Sequence, residues 1–275
     1  EITSRTYGTT VLRGGRMTKW KGKAASISPS LGQLIASVSP VALGRALMLG
    51  ANRTATAAVL GGVGLIVTTS GASANCTNTS DKVYVCSSNA TKTQYLEGGD
   101  TLLNVTIVDP ATSFAGGKYA FELKSNAGIT FEDKTTAGAT ITGGLKGIMA
   151  VNNGTGALSI TTTGTTESDN NGITAQNTGT GTGAGAGALS VTTTGKTTSF
   201  SSYGIFTYTN GTALTINAAE TTGRLDGIVA VNLGTGALSI TAGKTTGGNA
   251  GIVANNSSAG TDLTVNAATT TGADD

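Results

Sequence analysis

The chain of 275 residues has no histidine, two cysteines, three prolines, one tryptophan and only 4% aromatic residues. Without histidine, Ser-His-Asp and Cys-His nucleophilic chemistry and His-ligated metal centres are excluded. Two thiols alone do not make a zinc site, and no cofactor or metal is expected. Acidic residues are missing too, over a long stretch: none occurs between Glu1 and Asp81. Residues 1–74 hold eight Lys/Arg against Glu1, a net of +7, whereas residues 75–275 hold nine against fourteen acids, a net of −5. The overall +2 therefore hides two opposed segments. A basic, acid-free leader before an acidic body reads as targeting, not as a nucleic-acid surface, and no nucleic-acid partner is expected.

The leader has the parts of a secretory signal. Arg45 and Arg53 precede an apolar stretch over residues 55–67, and Ala72-Ser73-Ala74 matches the small-residue cleavage pattern. Cleavage is expected after Ala74. Thirteen Gly-rich residues are short for a membrane span. The rest of the leader, from the plausible start at Met17 with Lys19, Lys21 and Lys23, is expected to be largely helical or disordered. A mitochondrial transit peptide is the competing reading, and the late apolar stretch argues against it. Cys76 and Cys86 follow the expected cut, ten residues apart. Pairing in an oxidising compartment is the natural reading, with a free or intermolecular thiol as the alternative.

What the chain has in abundance is a repeated phrase. Gly147-Ile148 leads to Leu158-Ser159-Ile160, and Gly227-Ile228 to Leu238-Ser239-Ile240. Between and after them come Gly172-Ile173, Gly204-Ile205 and Gly251-Ile252, in steps of 25, 32, 23 and 24 residues. A period of this size marks a solenoid. The unit is dense in Gly, Thr, Ser and Asn, poor helix material, and its apolar residues fall two apart, as on one face of a strand. The expected fold is all-β: a right-handed parallel β-helix of about 24-residue coils. About seven coils from residue 95 onward make a rod of roughly 35 Å. The expected organisation is a leader over 1–74, an N-terminal cap with the Cys pair over 75–100, and repeats over 101–275. The last repeat stops at Asp275 without a cap, and truncation is expected.

Alignment on Gly-Ile exposes an Asn column, Asn152, Asn177, Asn232 and Asn256, broken by Thr209 with Asn210 beside it. These are read as a stacked ladder or as simple turn formers. The 32-residue step carries an insertion, Thr178 to Gly187, of low-complexity Gly, Ala and Thr.

Three acids, Glu167, Asp169 and Asp226, are candidates for the carboxylate pair of a glycoside hydrolase. They do not share a column of the alignment, and they read as surface residues. A stronger candidate is the set of positions alternating with the repeat Ile and Ala: Met149 and Val151, Phe206 and Tyr208, Val229 and Val231. With the nearby Phe200 and Tyr203 they form an apolar candidate interaction surface, if the Ile side points inward. Both sides of that strand are apolar, so alternation alone leaves the inward side open. Thr runs on a β-helix also resemble ice-binding solenoids. Thr161 with Thr163 and Thr192 with Thr194 fit such a ladder. Thr241-Ala242-Gly243 and Asn217-Ala218-Ala219 break it.

The long basic leader, apolar stretch, Ala72-Ser73-Ala74, Cys pair and Gly/Thr/Asn-rich repeats together resemble the passenger region of bacterial autotransporters (type V secretion). The resemblance covers nearly the whole chain and is one of pattern and composition. It implies export to the cell surface or outside the cell, with passage across the outer membrane through a C-terminal barrel that this chain lacks. It also implies an adhesive, non-enzymatic role towards a host or neighbouring-cell surface protein or polysaccharide. The alternative is a carbohydrate-active β-helix enzyme, a lyase or glycosidase, with part of its site in a missing C-terminal region.

Overall fold

The computed structural model describes residues 76–109, 111–179 and 186–272, and the backbone of residues 8–11. The chain divides into two units, residues 1–16 with 73–275, and residues 17–72, the second lying outside the described residues. The leader's helical or disordered state, its apolar stretch and its cleavage pattern also lie outside them, as do the middle of the insertion and residues 273–275.

Among the described residues there is no helix; parallel strands stack into a β-solenoid of about seven turns and about 25 residues per coil. Each regular coil crosses three faces. The first face carries Gln94–Gly99, Tyr119–Ser125, Lys146–Asn152, Asn171–Asn177, Ile205–Thr209, Asp226–Asn232 and Ala250–Asn256, each parallel to the next. The short strand Gly8–Val11 runs antiparallel along the last of these. The second face carries Val83–Cys86, Leu103–Ile107, Ile129–Asp133 and Leu158–Thr162, and the third carries Ser113–Gly116, Thr140–Gly143 and Thr166–Ser168. From Leu189 onward the second and third faces share one strand: Leu189–Ser199, Leu214–Gly223, Leu238–Gly247 and Leu263–Thr271.

The repeated phrase maps onto this register without slippage. Ile148, Ile173, Ile205, Ile228 and Ile252 are paired coil to coil and buried, as are Leu158, Leu189, Leu214 and Leu238 on the second face. The Ile side of the first face is thus the inward side, and Met149, Val151, Val229 and Val231 face out, half-buried.

The glycine of each Gly-Ile has a steric cause. A Cβ on Gly147, Gly172, Gly204, Gly227 or Gly251 would lie 2.5, 2.6, 2.4, 2.5 or 2.3 Å from Cγ2 of Thr166, Thr197, Thr221, Thr245 or Thr270. The methyl of a third-face threonine occupies the space that a side chain on the first face would need. The glycine of each Gly-Ile and the third-face threonine it meets therefore record one packing contact made from opposite sides of the coil.

The Asn column is a buried ladder that also serves the turns. Asn152 Nδ2 donates to Asn177 Oδ1 at 2.7 Å, and Asn232 Nδ2 to Asn256 Oδ1 at 2.8 Å. Asn152 and Asn232 also donate to turn carbonyls, those of Gly154, Gly156 and Gly236. Thr209 interrupts the ladder, and its hydroxyl donates to the Asn177 carbonyl instead. Asn210 is displaced outward to close the base of the insertion: its Oδ1 accepts from Gly179 N at 3.0 Å and its Nδ2 donates to Gly179 O at 3.3 Å.

At the N-terminal end, Cys76–Ser80 and Val83–Cys86 form an antiparallel hairpin in which Cys76 and Cys86 lie opposite each other and are disulfide-bonded. Its second strand already pairs in parallel with Leu103–Ile107, so the hairpin leads directly into the solenoid.

Candidate interaction surface

The outward side of the first face consists of two columns held in register. One reads Tyr95, Glu122, Met149, Thr174, Phe206, Val229 and Val253; the other reads Glu97, Lys124, Val151, Gln176, Tyr208, Val231 and Asn255. The strands alternate strictly, so these side chains stand on one side of a sheet whose other side is packed into the core.

The columns change character along the rod. In the first coils they are charged and mutually paired: Lys124 Nζ lies 2.8 Å from Glu122 and 5.0 Å from the Tyr95 ring centroid, and the Tyr95 hydroxyl donates to Glu97. The hydrogen bond to Glu122 raises the Lys124 pKa above its usual value. Lys146, beside them, is held below its usual value, first by burial and then by repulsion from Lys118, with Glu122 opposing. Its ammonium donates to Met149 Sδ at 3.1 Å.

From Met149 onward the columns lose their charges and become mostly apolar and aromatic, with Thr174, Gln176 and Asn255 as their polar members. Phe206, Tyr208, Val229, Val231 and Val253 are all partly exposed, and Tyr203 stacks on Phe206 with centroids 5.8 Å apart. Phe200, in the preceding turn, is 57% exposed, the highest value among the large hydrophobic residues described. The structure thus places all eight sequence-derived candidates on or beside this face: Met149, Val151, Phe200, Tyr203, Phe206, Tyr208, Val229 and Val231. Thr174 is the exception within the column, being buried and accepting from Asn171 Nδ2 at 3.1 Å.

Sequence reasoning missed the rims of the face. Leu145 and Leu225 immediately precede first-face strands, Leu233 follows one, and all three are exposed. Leucine in a Gly/Asn/Asp turn, where burial is not available, was the signal that could have found them.

The three candidate catalytic acids are not brought together. Glu167 lies within the third-face strand Thr166–Ser168, and Asp169 in the turn after it. Asp226 opens a first-face strand two coils later, roughly 10 Å along the rod. There its Oδ1 accepts the Ala250 amide at 3.0 Å, which ties one coil to the next. Among the described residues no three His, Cys, Asp or Glu side chains gather to hold a metal ion.

The carboxylate with the richest surroundings is one that the sequence did not single out. Asp133 is buried and accepts from Thr135 N at 3.0 Å, Thr135 Oγ1 at 2.6 Å, Ala139 N at 2.9 Å and, from the next coil, Thr163 Oγ1 at 2.8 Å. Burial acts to raise its pKa, but these donors together outweigh it and hold the carboxyl below its usual value. It fixes the turn from the second face to the third, and all its donors belong to the protein.

Compared with protein-family models, with curated proteins and with solved structures, the chain has no match in any of the three.

Proposed function

We propose that the chain is an exported β-solenoid that acts by display and binding. The rod holds the outward first-face strip against a protein or polysaccharide of a host or neighbouring cell. The observation that carries this reading is the strip itself: Phe206, Tyr208, Val229 and Val231, partly exposed, in register on a stiff sheet, with exposed Phe200 at its edge. Contiguous apolar surface of this kind marks interaction sites, and aromatic residues supply most of the anchoring at such sites. The Cys76–Cys86 disulfide supports an oxidising, extracytoplasmic setting.

The binding test uses the intact chain on cell surfaces and on immobilised surface polysaccharides. Phe206→Asp combined with Val229→Asp should abolish retention while the thermal unfolding midpoint stays in place. Retention that survives the double substitution would remove the strip from the mechanism. The enzyme reading is tested by polysaccharide degradation with Glu167→Gln, Asp169→Asn and Asp226→Asn; turnover lost in those variants would overturn display as the function. Mass spectrometry of the exported protein should find Asn75 as the first residue, and a different start would refute the cleavage site.

A further inference from the structure

The second face presents outward a surface unlike the first. Ser159, Ser190, Thr215, Ser239 and Thr264 are paired coil to coil, as are Thr161, Thr192, Asn217, Thr241 and Asn266, over five coils without a register shift. Each of these ten side chains is at least partly exposed, none is charged, and none is longer than asparagine. Coil spacing and strand rise set a two-dimensional repeat of about 4.8 Å by roughly 6.6 Å. Beneath the first four rungs, Leu158, Leu189, Leu214 and Leu238 and Ile160, Val191, Ile216 and Ile240 are wholly buried, so these rungs stand on a packed base; beneath the fifth, Leu263 and Val265 are partly buried.

This register differs from the Thr-x-Thr pattern that the sequence shows only in part. The flat pairs are Ser159 with Thr161 and Ser190 with Thr192. Thr163 lies beyond its strand, where its hydroxyl bonds Asp133. Ala219 and Gly243, which break the Thr-x-Thr pattern, lie beyond these pairs as well, and at Asn217 and Thr241 the lattice is intact.

The hydrogen-bonding groups of the lattice are also unengaged. Polar side chains at the corners bond protein groups: Asn89 accepts from Thr112 and Ser113, Thr136 donates to Asp109, and Ser257 donates to Gly234. Among the described residues none of the ten lattice side chains is hydrogen-bonded to the protein. Their donors and acceptors all remain for something outside it.

We infer that this second-face lattice binds crystalline water, adsorbing to the surface of ice. A protein partner would find no aromatic or Arg anchor here, and a nucleic acid would find no cation for its phosphates. A partner that repeats donors and acceptors in two dimensions gains from each further rung, because every contact after the first is intramolecular. Lys196, Glu220 and Lys244 lie on the third face, away from the lattice, and charge borders it at its two ends, at Glu132, paired with Thr161, and at Asp262, immediately before the last rung.

The test freezes a solution of the intact chain slowly around a cold probe and measures the protein taken into the ice, beside a non-binding control protein. The wild type should enter the ice and facet growing crystals. Thr192→Lys and Thr215→Lys, which place a long charged side chain over the lattice, should each be excluded like the control while their unfolding midpoints stay unchanged. Should either fail to fold, Thr241→Tyr supplies the same comparison. Val229→Asp, on the first face, should leave ice uptake intact, which separates this inference from the proposed strip. Exclusion of the wild type from ice, uptake that survives the lattice substitutions, or retention on crystalline polysaccharide in place of ice would each overturn it.

Discussion

The early coils and the later coils fill the same interior in different ways. Around Gln94–Gly143 the space is filled with mass: Phe114, Phe121 and Phe131 are wholly buried, with ring centroids 4.8 and 4.9 Å apart along the series. From Lys146 onward it is filled by interlock. The column that begins with Phe114 and Ile141 continues as Thr166, Thr197, Thr221 and Thr245, while the facing column changes from Ala120 to Gly147 and its successors. A bulky residue against alanine gives way to a threonine methyl seated on a glycine. The exterior changes with it, from the Glu97, Glu122 and Lys124 cluster to apolar and hydroxyl columns. The lesson is that a solenoid conserves its coil outline and lets the two sides of the wall exchange volume.

The largest test of this contrast is Phe121→Ala. It removes the ring that contacts both other phenylalanines and should cost about 3–5 kcal/mol in denaturant unfolding. In the Thr/Gly coils Ile228→Val should cost about 0.5–1.5 kcal/mol, and a loss there equal to that of Phe121→Ala would erase the distinction.

Next comes Asp133, the polar clamp of the early coils. Asp133→Ala strands several buried donors and should cost about 3 kcal/mol. The carboxyl's folded pKa lies below its unfolded value, so its contribution is complete above the unfolded pKa, near 4, and disappears as pH falls through the folded value. Wild-type unfolding monitored below about pH 4 should therefore show a fall that Asp133→Asn lacks.

The interlock of the later coils is tested by two glycines. Gly251→Ala meets Thr270 Cγ2 at 2.3 Å, after which the nearest atoms are at 3.1 and 3.2 Å. It should lose about 1–3 kcal/mol, most of it restored by adding Thr270→Ser. Gly227→Ala meets both Thr245 Cγ2 and the Gly251 carbonyl oxygen at 2.5 Å, so Thr245→Ser should leave most of its loss in place. Equal rescue at the two sites would show that the threonine methyl does not set the glycine.

The smallest effect concerns the hydroxyls on those threonines. Thr166, Thr197, Thr221 and Thr245 bury Oγ1 without a protein partner. Thr221→Val keeps the methyl contact and removes a desolvated hydroxyl, and it should raise stability by up to about 1 kcal/mol in thermal unfolding. A loss would show that the hydroxyl is satisfied within the folded chain.

Much of the fold was legible in the linear text because a parallel solenoid repeats each position at nearly constant separation. Gly-Ile marked one face, Leu-Ser-Ile marked the second, and the Asn column marked the corner between them, including its break at Thr209. The candidate strip was legible as well, through alternation with Ile148, Ile205 and Ile228. Asp133 was not, because its partners Thr135, Ala139 and Thr163 come from two coils and nothing local marks them as convergent. Asn210 looked like a displaced ladder residue, and only the return of the chain at Gly179 shows that it closes the insertion.

By itself the sequence determined the element type, the period and which residues share a side of each strand, because these follow from side-chain alternation and turn chemistry within a few residues. It did not determine which side of the Gly-Ile strand faces in, since Met149, Val151, Val229 and Val231 are as apolar as the residues between them. Closure of the coil decided that. The Ile side packs with the Leu and Ile of the second face, and its glycine receives a threonine methyl from the third. Only a chain folded back on itself brings those three positions within contact distance.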